Sequence, residues 1–313
     1  MPPAASDDKA GRIQGPQNTN GDKEQGDVTS TLPKISTANA DQELEKLRED
    51  IDRIDLAMHQ LLMERGQIIE TLIGIKARQG AGSAFRPARE AAILRALLSR
   101  HHGLLPLDTV ESIWRIIIST FTYVQMPFSV HFDIESGAAF MQDSARFHFG
   151  FSVPALPTRG SAAVIAAVAA STGDLGLLAI EQAPHAGVWW RGLLETAAPK
   201  IIARLPFVDR PGHPVARPQF VVARPLAAAA SRDVIICALE LDRWRPDIDD
   251  LLPTLGGACL AKAADGLGLH LLVAIPGHLG QSGLRDALGS SRAGRARVVE
   301  VGSHAAQFVM APS

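Results

Sequence analysis

Between Leu44 and Ile75, apolar side chains recur at Leu44, Leu47, Ile51, Ile54, Met58, Leu61, Ile68, Leu72 and Ile75. Only a helix turns this 3, 4, 3, 4 spacing into one continuous stripe. The run predicts a helix of roughly 38 residues, about 57 Å at 1.5 Å per residue, ending near Arg78 before Gly80 and Gly82. A stripe of that length cannot be buried inside one small domain. It needs a second chain or several returning helices, and an intertwined homodimer supplies both.

The stripe has one polar slot. Continued by its own spacing, the position between Leu61 and Ile68 falls on Arg65. A buried guanidinium without a partner costs several kcal/mol, about the penalty of an uncompensated buried charge, so a carboxylate or an anionic ligand must meet it. Two readings stand side by side: a register-setting salt bridge with Glu64 or Glu90, or a ligand site. Lys76 follows Arg65 by about three helical turns, to within roughly 20°, so both cations look the same way. Arg48 lies about 100° off that face, too far round to share the pocket of its own helix, but placed to reach that of a partner chain. Converging cations in an apolar bundle imply a small, multiply charged anion.

A second helix is expected from Pro87 to about Arg100, because proline suits a first helical turn. A third is expected from Asp108 as N-cap, with Glu111 completing a capping-box-like pair, until Pro127 stops it. Beyond Phe128 the pattern is mixed. Strand-like runs (FHFGFSV, DLGLLAIE, KIIARLPFV, QFVVARP, DVIICALEL, LHLLVAIP, RVVEVG) alternate with helix-like ones (SAAVIAAVAAS, WWRGLLETA, DDLLPTLG, LRDALGS). The segment PLAAAASR marks a further boundary and leaves a βαββαβ-like unit at the end. The expected layout is multidomain: a disordered tail over 1–38, an all-α domain over 39–130, an α/β region over 131–230 and an α+β region over 231–313.

Bulk properties narrow the function. A net charge of −2 and a pI near 6.6 provide no basic stripe for nucleic acid and no cationic face for a membrane, which leaves small-molecule work. Cys237 and Cys259 sit in apolar runs and read as buried thiols, not as a disulfide. No apolar run reaches 18 residues and MPPAASDDKAGR lacks a signal-peptide layout, so a cytoplasmic location is expected. His101 and His102 lack metal-ligand spacing, and no metal or other cofactor is expected. The Trp189 and Trp190 pair reads as a core or interface anchor.

The runs LEKLREDIDRIDLAMHQLLMERGQIIETLIGIKARQG, FRPAREAAILRALL and IWRIIISTFTYVQMPF together resemble the AroQ-type, all-helical chorismate mutase domain over some 90 residues in order. The resemblance implies an intertwined dimer that rearranges chorismate to prephenate in phenylalanine and tyrosine biosynthesis. Its chemistry needs no nucleophile and no redox cofactor, only a folded substrate and stabilised developing charge. It implies that Arg65 and the partner copy's Arg48 clamp the two carboxylates, with Arg89 assisting. Lys76 and Gln125 would donate to the ether oxygen, and Glu90 would hold the ring hydroxyl. Arg86 stands where some members carry an acidic loop residue, and Phe121 where a small or hydroxyl residue is frequent. Both departures imply altered affinity more than lost activity.

The later half resembles, more weakly, the prephenate dehydratase and ACT-type regions of bifunctional P-proteins, through GDLGLLAIEQAPHAGVW, QFVVARP and RVVEVGSH. The Thr-Arg-Phe motif of that family appears here as Pro218, Gln219 and Phe220, and its early glycine loop is not recognisable. Pro218 offers neither a hydroxyl nor a backbone N–H, so the region reads as a degenerate dehydratase with an ACT-like end. The segment before Asp174 looks too short for a full first lobe. A bifunctional mutase/dehydratase and a non-catalytic effector-binding scaffold are the alternatives.

Overall fold

The computed structural model describes residues 37–79, 85–182, 186–226, 231–241, 247–266, 268–290 and 296–310. The tail expected over 1–38 lies almost wholly outside them. The chain divides into two compact units, Met1–Leu61 and Leu62–Ser313.

Helix α1 (Thr37–Gln79) passes from the first unit into the second and ends one residue beyond the expected stop. Its stripe is open: Leu44, Leu47, Ile51, Ile54, Met58 and Leu61 are about half exposed or more, as is Ile68. On the polar side of the first unit, Arg48 pairs with Glu45 at 3.2 Å and Arg53 with Asp50 at 3.5 Å. These are i,i+3 surface pairs, worth only a few tenths of a kcal/mol, about the usual value.

In the second unit α2 (Pro87–Arg100) opens on proline as expected, and α3 (Leu107–Gln125) follows. The capping box expected for α3 does not form. Pro106 is the N-cap, while Asp108 is drawn to Arg210 and Glu111 is fully buried elsewhere. Partners a hundred residues away outcompete the local backbone for these carboxylates.

Next come β1 (Val130–Asp133), α4 (Ala138–Phe149), β2 (Ala155–Thr158), α5 (Ser161–Ala170) and β3 (Leu175–Ala179). The segment before Asp174 thus builds two parallel strands and two helices. FHFGFSV is not a strand: its first half ends α4, where Met141, Ser144, Ala145 and His148 are buried at helical spacing. Trp189–Leu193 is a short 3-10 turn, with both tryptophans buried edge-to-face at 5.7 Å.

Strands β4 (Lys200–Leu205), β5 (Val208–Asp209) and β6 (Gln219–Ala223) precede the final βαββαβ unit. That unit comprises β7 (Val234–Leu241), α6 (Asp247–Thr254), β8 (Ala258–Asp265), β9 (Gly268–Pro276), α7 (Gly280–Ser290) and β10 (Ala296–His304); β11 (Phe308–Val309) pairs with β5. One nine-stranded sheet, in the order β2-β1-β3-β6-β4-β10-β7-β9-β8, crosses the boundary expected near residue 230 without interruption. The join is β10 beside β4, parallel, with Gly302 opposite Ile201.

Alternation along the strands sorts the core. Phe220, Val222, Ile201 and Ile236 face α5 and the tryptophans, while Val221, Ala223 and Ile202 face α4. Ile235, Cys237 and Leu239 face α6 and α7. Both faces of the sheet are therefore apolar and covered. Burial pushes the Cys237 thiol up to about 12, and both cysteines are free. Ala91, Leu94 and Leu98 of α2 meet Phe207 and Val208, fastening the helices to the β5–β11 ribbon.

Candidate active site

Arg65 lies on α1 with its guanidinium carbon 4.4 Å from the centre of the Phe121 ring of α3. Its Nη1 is buried and has no hydrogen-bond partner among the described residues. Burial, and then the charge of Arg89, hold its pKa below the ordinary guanidinium value. The salt bridge with Glu64 or Glu90 that would have explained this arginine does not form. Two cations stand close together and no carboxylate answers Arg65, which is the electrostatic outline of an anion site.

Gln125, one turn after Phe121, donates from Nε2 to the Phe121 carbonyl at 3.0 Å. Arg89 is exposed at the start of α2. Lys76 belongs to the last turns of α1, but its side chain lies outside the described residues. Arg48 belongs to the first unit, exposed and paired with Glu45.

Glu90 occupies the first turn of α2, where the helix dipole favours an anion. Its carboxylate stands 3.8 Å from Nη1 of Arg115 on α3 and accepts no hydrogen bond among the described residues. Burial pushes its pKa up, against the opposing pull of Arg115. Glu90, Arg115, Ser119, Thr122 and Arg204 line a cavity of about 40 Å³ between the helices and the sheet. That is room for about three waters, far below the several hundred Å³ of a usual ligand pocket.

Sequence reasoning missed Arg115. The signal was available: it is the one charge within IWRIIIST, the same anomaly that singles out Arg65 in the stripe of α1.

A three-helix segment that buries an arginine nitrogen with no carboxylate against it among the described residues is an all-helical scaffold with the electrostatic outline of an anion site. Residues 47–126 match the family model described as chorismate mutase type II, and this segment is a domain of that family. The bifunctional chorismate mutase/prephenate dehydratase of Pseudomonas aeruginosa is 30% identical over 154 residues, covering 48% of this chain and 42% of that protein. The protein of the same description from Neisseria gonorrhoeae is 34% identical over 103 residues, covering 33% of this chain and 27% of that protein. The chain thus spans less than half the length of these relatives. Among solved structures, the prephenate dehydratase of Streptococcus mutans aligns with 58% of this chain and 99% of its own, at 13% identity and a TM-score of 0.40.

Proposed function

We propose that the protein is a chorismate mutase that rearranges chorismate to prephenate within a homodimer. The observation that carries this reading is Arg65: a buried guanidinium nitrogen without a partner among the described residues, its pKa lowered by burial and then by the charge of Arg89. A dicarboxylate substrate supplies the counter-charge that the described residues withhold. Arg65 takes one carboxylate, Arg89 supports it, and Arg48 of a second copy takes the other. Lys76 and Gln125 stabilise the ether oxygen as it gains charge, and Glu90 holds the ring hydroxyl. The open stripe of α1 is the dimer surface. In this reading 39–130 is the mutase domain, with 131–230 and 231–313 as α/β and α+β additions, and the protein is cytoplasmic.

The relatives' description as bifunctional raises a second reading, in which the sheet region dehydrates prephenate. A local observation weighs against it. Gln219 points into the core, donating to Ser144 Oγ at 2.8 Å, and Pro218 before it uses its only polar backbone group, the carbonyl, to accept from the Ile180 N–H. Neither residue has a free donor for a leaving hydroxyl.

The test is to incubate purified full-length protein with chorismate, follow its ultraviolet loss, and identify products without acid treatment. Prephenate alone is the expected result. Phenylpyruvate would establish the bifunctional reading, and no turnover would leave a non-catalytic effector-binding scaffold.

A further inference from the structure

Arg115 is 9% exposed, yet its Nε makes no hydrogen bond and its Nη1 approaches Glu90 at 3.8 Å. On its other side Glu111, one helical turn earlier and fully buried, stands 4.0 Å from Nε. Glu111 is anchored by the α/β region: it accepts from the Phe207 N–H at 3.2 Å and from His213 Nε2 at 3.2 Å. His213 Nδ1 accepts from the Val215 N–H at 3.1 Å, so the proton sits on Nε2 and the neutral imidazole donates to the Glu111 carboxylate. Phe207 also places its ring 5.9 Å from the Arg115 guanidinium. The turn between β4 and β5 thus holds Glu111, Glu111 faces Arg115, and Arg115 faces Glu90.

We propose that Arg115 is a positioning residue for the mutase reaction, holding Glu90 ionised and oriented from an anchor that the α/β region supplies. The inference rests on the mutase reading, because Glu90 owes its role to it. It goes further in making the sheet region part of the machinery of the helical domain. A carboxylate that accepts no hydrogen bond from the described residues keeps its lone pairs for a substrate hydroxyl, and it stays charged in a largely buried position only if a cation faces it. The other charged or titratable groups around Glu90 and Arg115 are Glu111 on α3, Arg204 on β4, His148 on α4 and, beyond Glu111, His213 in the loop before β6. Arg204 lines the same cavity and makes no ion pair with Glu90. His148 is held neutral chiefly by burial and then by the charge of Arg115. Arg115 is therefore the cation that pairs with Glu90.

The experiment titrates Glu90 directly, by ¹³C carboxyl NMR of the full-length protein labelled at glutamate, with E90Q to assign the signal. R115Q should raise the Glu90 pKa by about one unit or more, since an opposite charge at this range is lost. E111Q, which keeps one acceptor oxygen for the Phe207 N–H, gives up the acceptor facing His213 and removes the competing anion, should lower it. R115K should stay near the wild-type value. The acid limb of the kcat/KM profile with chorismate should move in step, upward for R115Q and downward for E111Q. An unmoved Glu90 titration overturns the proposal, as does a shift of the same sign in R115Q and E111Q, which marks general loosening. A rate profile that ignores the titration overturns it too. If wild-type protein does not turn chorismate over, the mutase reading fails by itself, and the role of Arg115 falls with it even where the titration shifts persist.

Discussion

Arg65 and Phe121 face each other at 4.4 Å, a cation over an aromatic ring, with one guanidinium nitrogen buried and unanswered. The ring quadrupole offsets part of the desolvation of Arg65 but offers no lone pair in the plane of the guanidinium fork. The pairing therefore fixes the arginine while leaving its donors for a ligand. Arg65→Ala should abolish turnover and leave the fold intact. The check is a steady-state assay beside circular dichroism, and wild-type activity in that variant would remove Arg65 from the site. Arg65→Lys, which keeps a point charge but loses the bidentate fork, should retain a small fraction of the rate.

Phe121 itself departs from the small or hydroxyl residue frequent in the resembling family. If its role is to hold Arg65, Phe121→Leu should raise KM for chorismate by about 3- to 10-fold with little change in kcat, the size expected when a cation–π contact is lost. A fall in kcat at constant KM would instead mean that the ring shapes the reacting conformer.

The half-exposed stripe of Leu47, Ile51, Ile54 and Leu61 is a larger run of apolar side chains than a monomer ordinarily leaves open. In solution the protein should elute as a dimer by light-scattering chromatography. The double substitution Ile54→Lys with Leu61→Lys should yield monomer and lose activity together, since Arg48 would then reach no second pocket. A fully active monomer would defeat the intertwined arrangement.

Several of these features are legible in the sequence, and the reason is locality. The stop of α1 near Arg78 and the proline start of α2 depend on residues within one turn, and both appear as expected. Asp108 and Glu111 mislead because their partners, Arg210, His213 and Phe207, are about a hundred residues away. The edge strand β8 reads as ACLAKAAD, alanine-rich and weak in strand propensity, and it is strand because β9 pairs with it. FHFGFSV alternates like a strand, but its burial follows the helix that precedes it. Arg65 is found because the stripe around it is long and regular. Arg115 needs the fold, since what makes it matter is the carboxylate on each side.

His304 should make the protein acid-sensitive. Burial lowers its pKa to about 4 from an ordinary 6.5, while Nδ1 donates to the Ala305 carbonyl at 2.8 Å and Nε2 is buried without a partner. The folded state thus binds a proton less readily than the unfolded state. The stability so conferred is complete above the unfolded value and is lost as pH falls from 6.5 toward 4, on the order of 3 kcal/mol for a shift of this size. His148 acts in the same direction. Urea midpoints between pH 7.5 and pH 4.5 should fall steeply for the wild type and less steeply for His304→Asn. Equal slopes would place the acid sensitivity elsewhere.

Gly302 is where the two halves of the sheet meet, and its hydrogen is the only substituent the junction admits. It has φ of +147°, and a Cβ there would lie 2.2 Å from the Ile201 carbonyl oxygen and 2.7 Å from its Cα. Backbone atoms cannot swing aside as a side chain can. Gly302→Ala should therefore cost about 3 kcal/mol, combining backbone strain with overpacking. At roughly 3 °C per kcal/mol for a unit of this size, the melting temperature should drop by about 10 °C. Gly289 in α7 is the control, because a Cβ there meets nothing within 4 Å. Gly289→Ala should be neutral or stabilising by a few tenths of a kcal/mol up to about 1 kcal/mol, the usual helix propensity difference. Calorimetry of the two variants separates the cases: similar melting temperatures would mean that β4 and β10 are not held at the close approach that Gly302 permits.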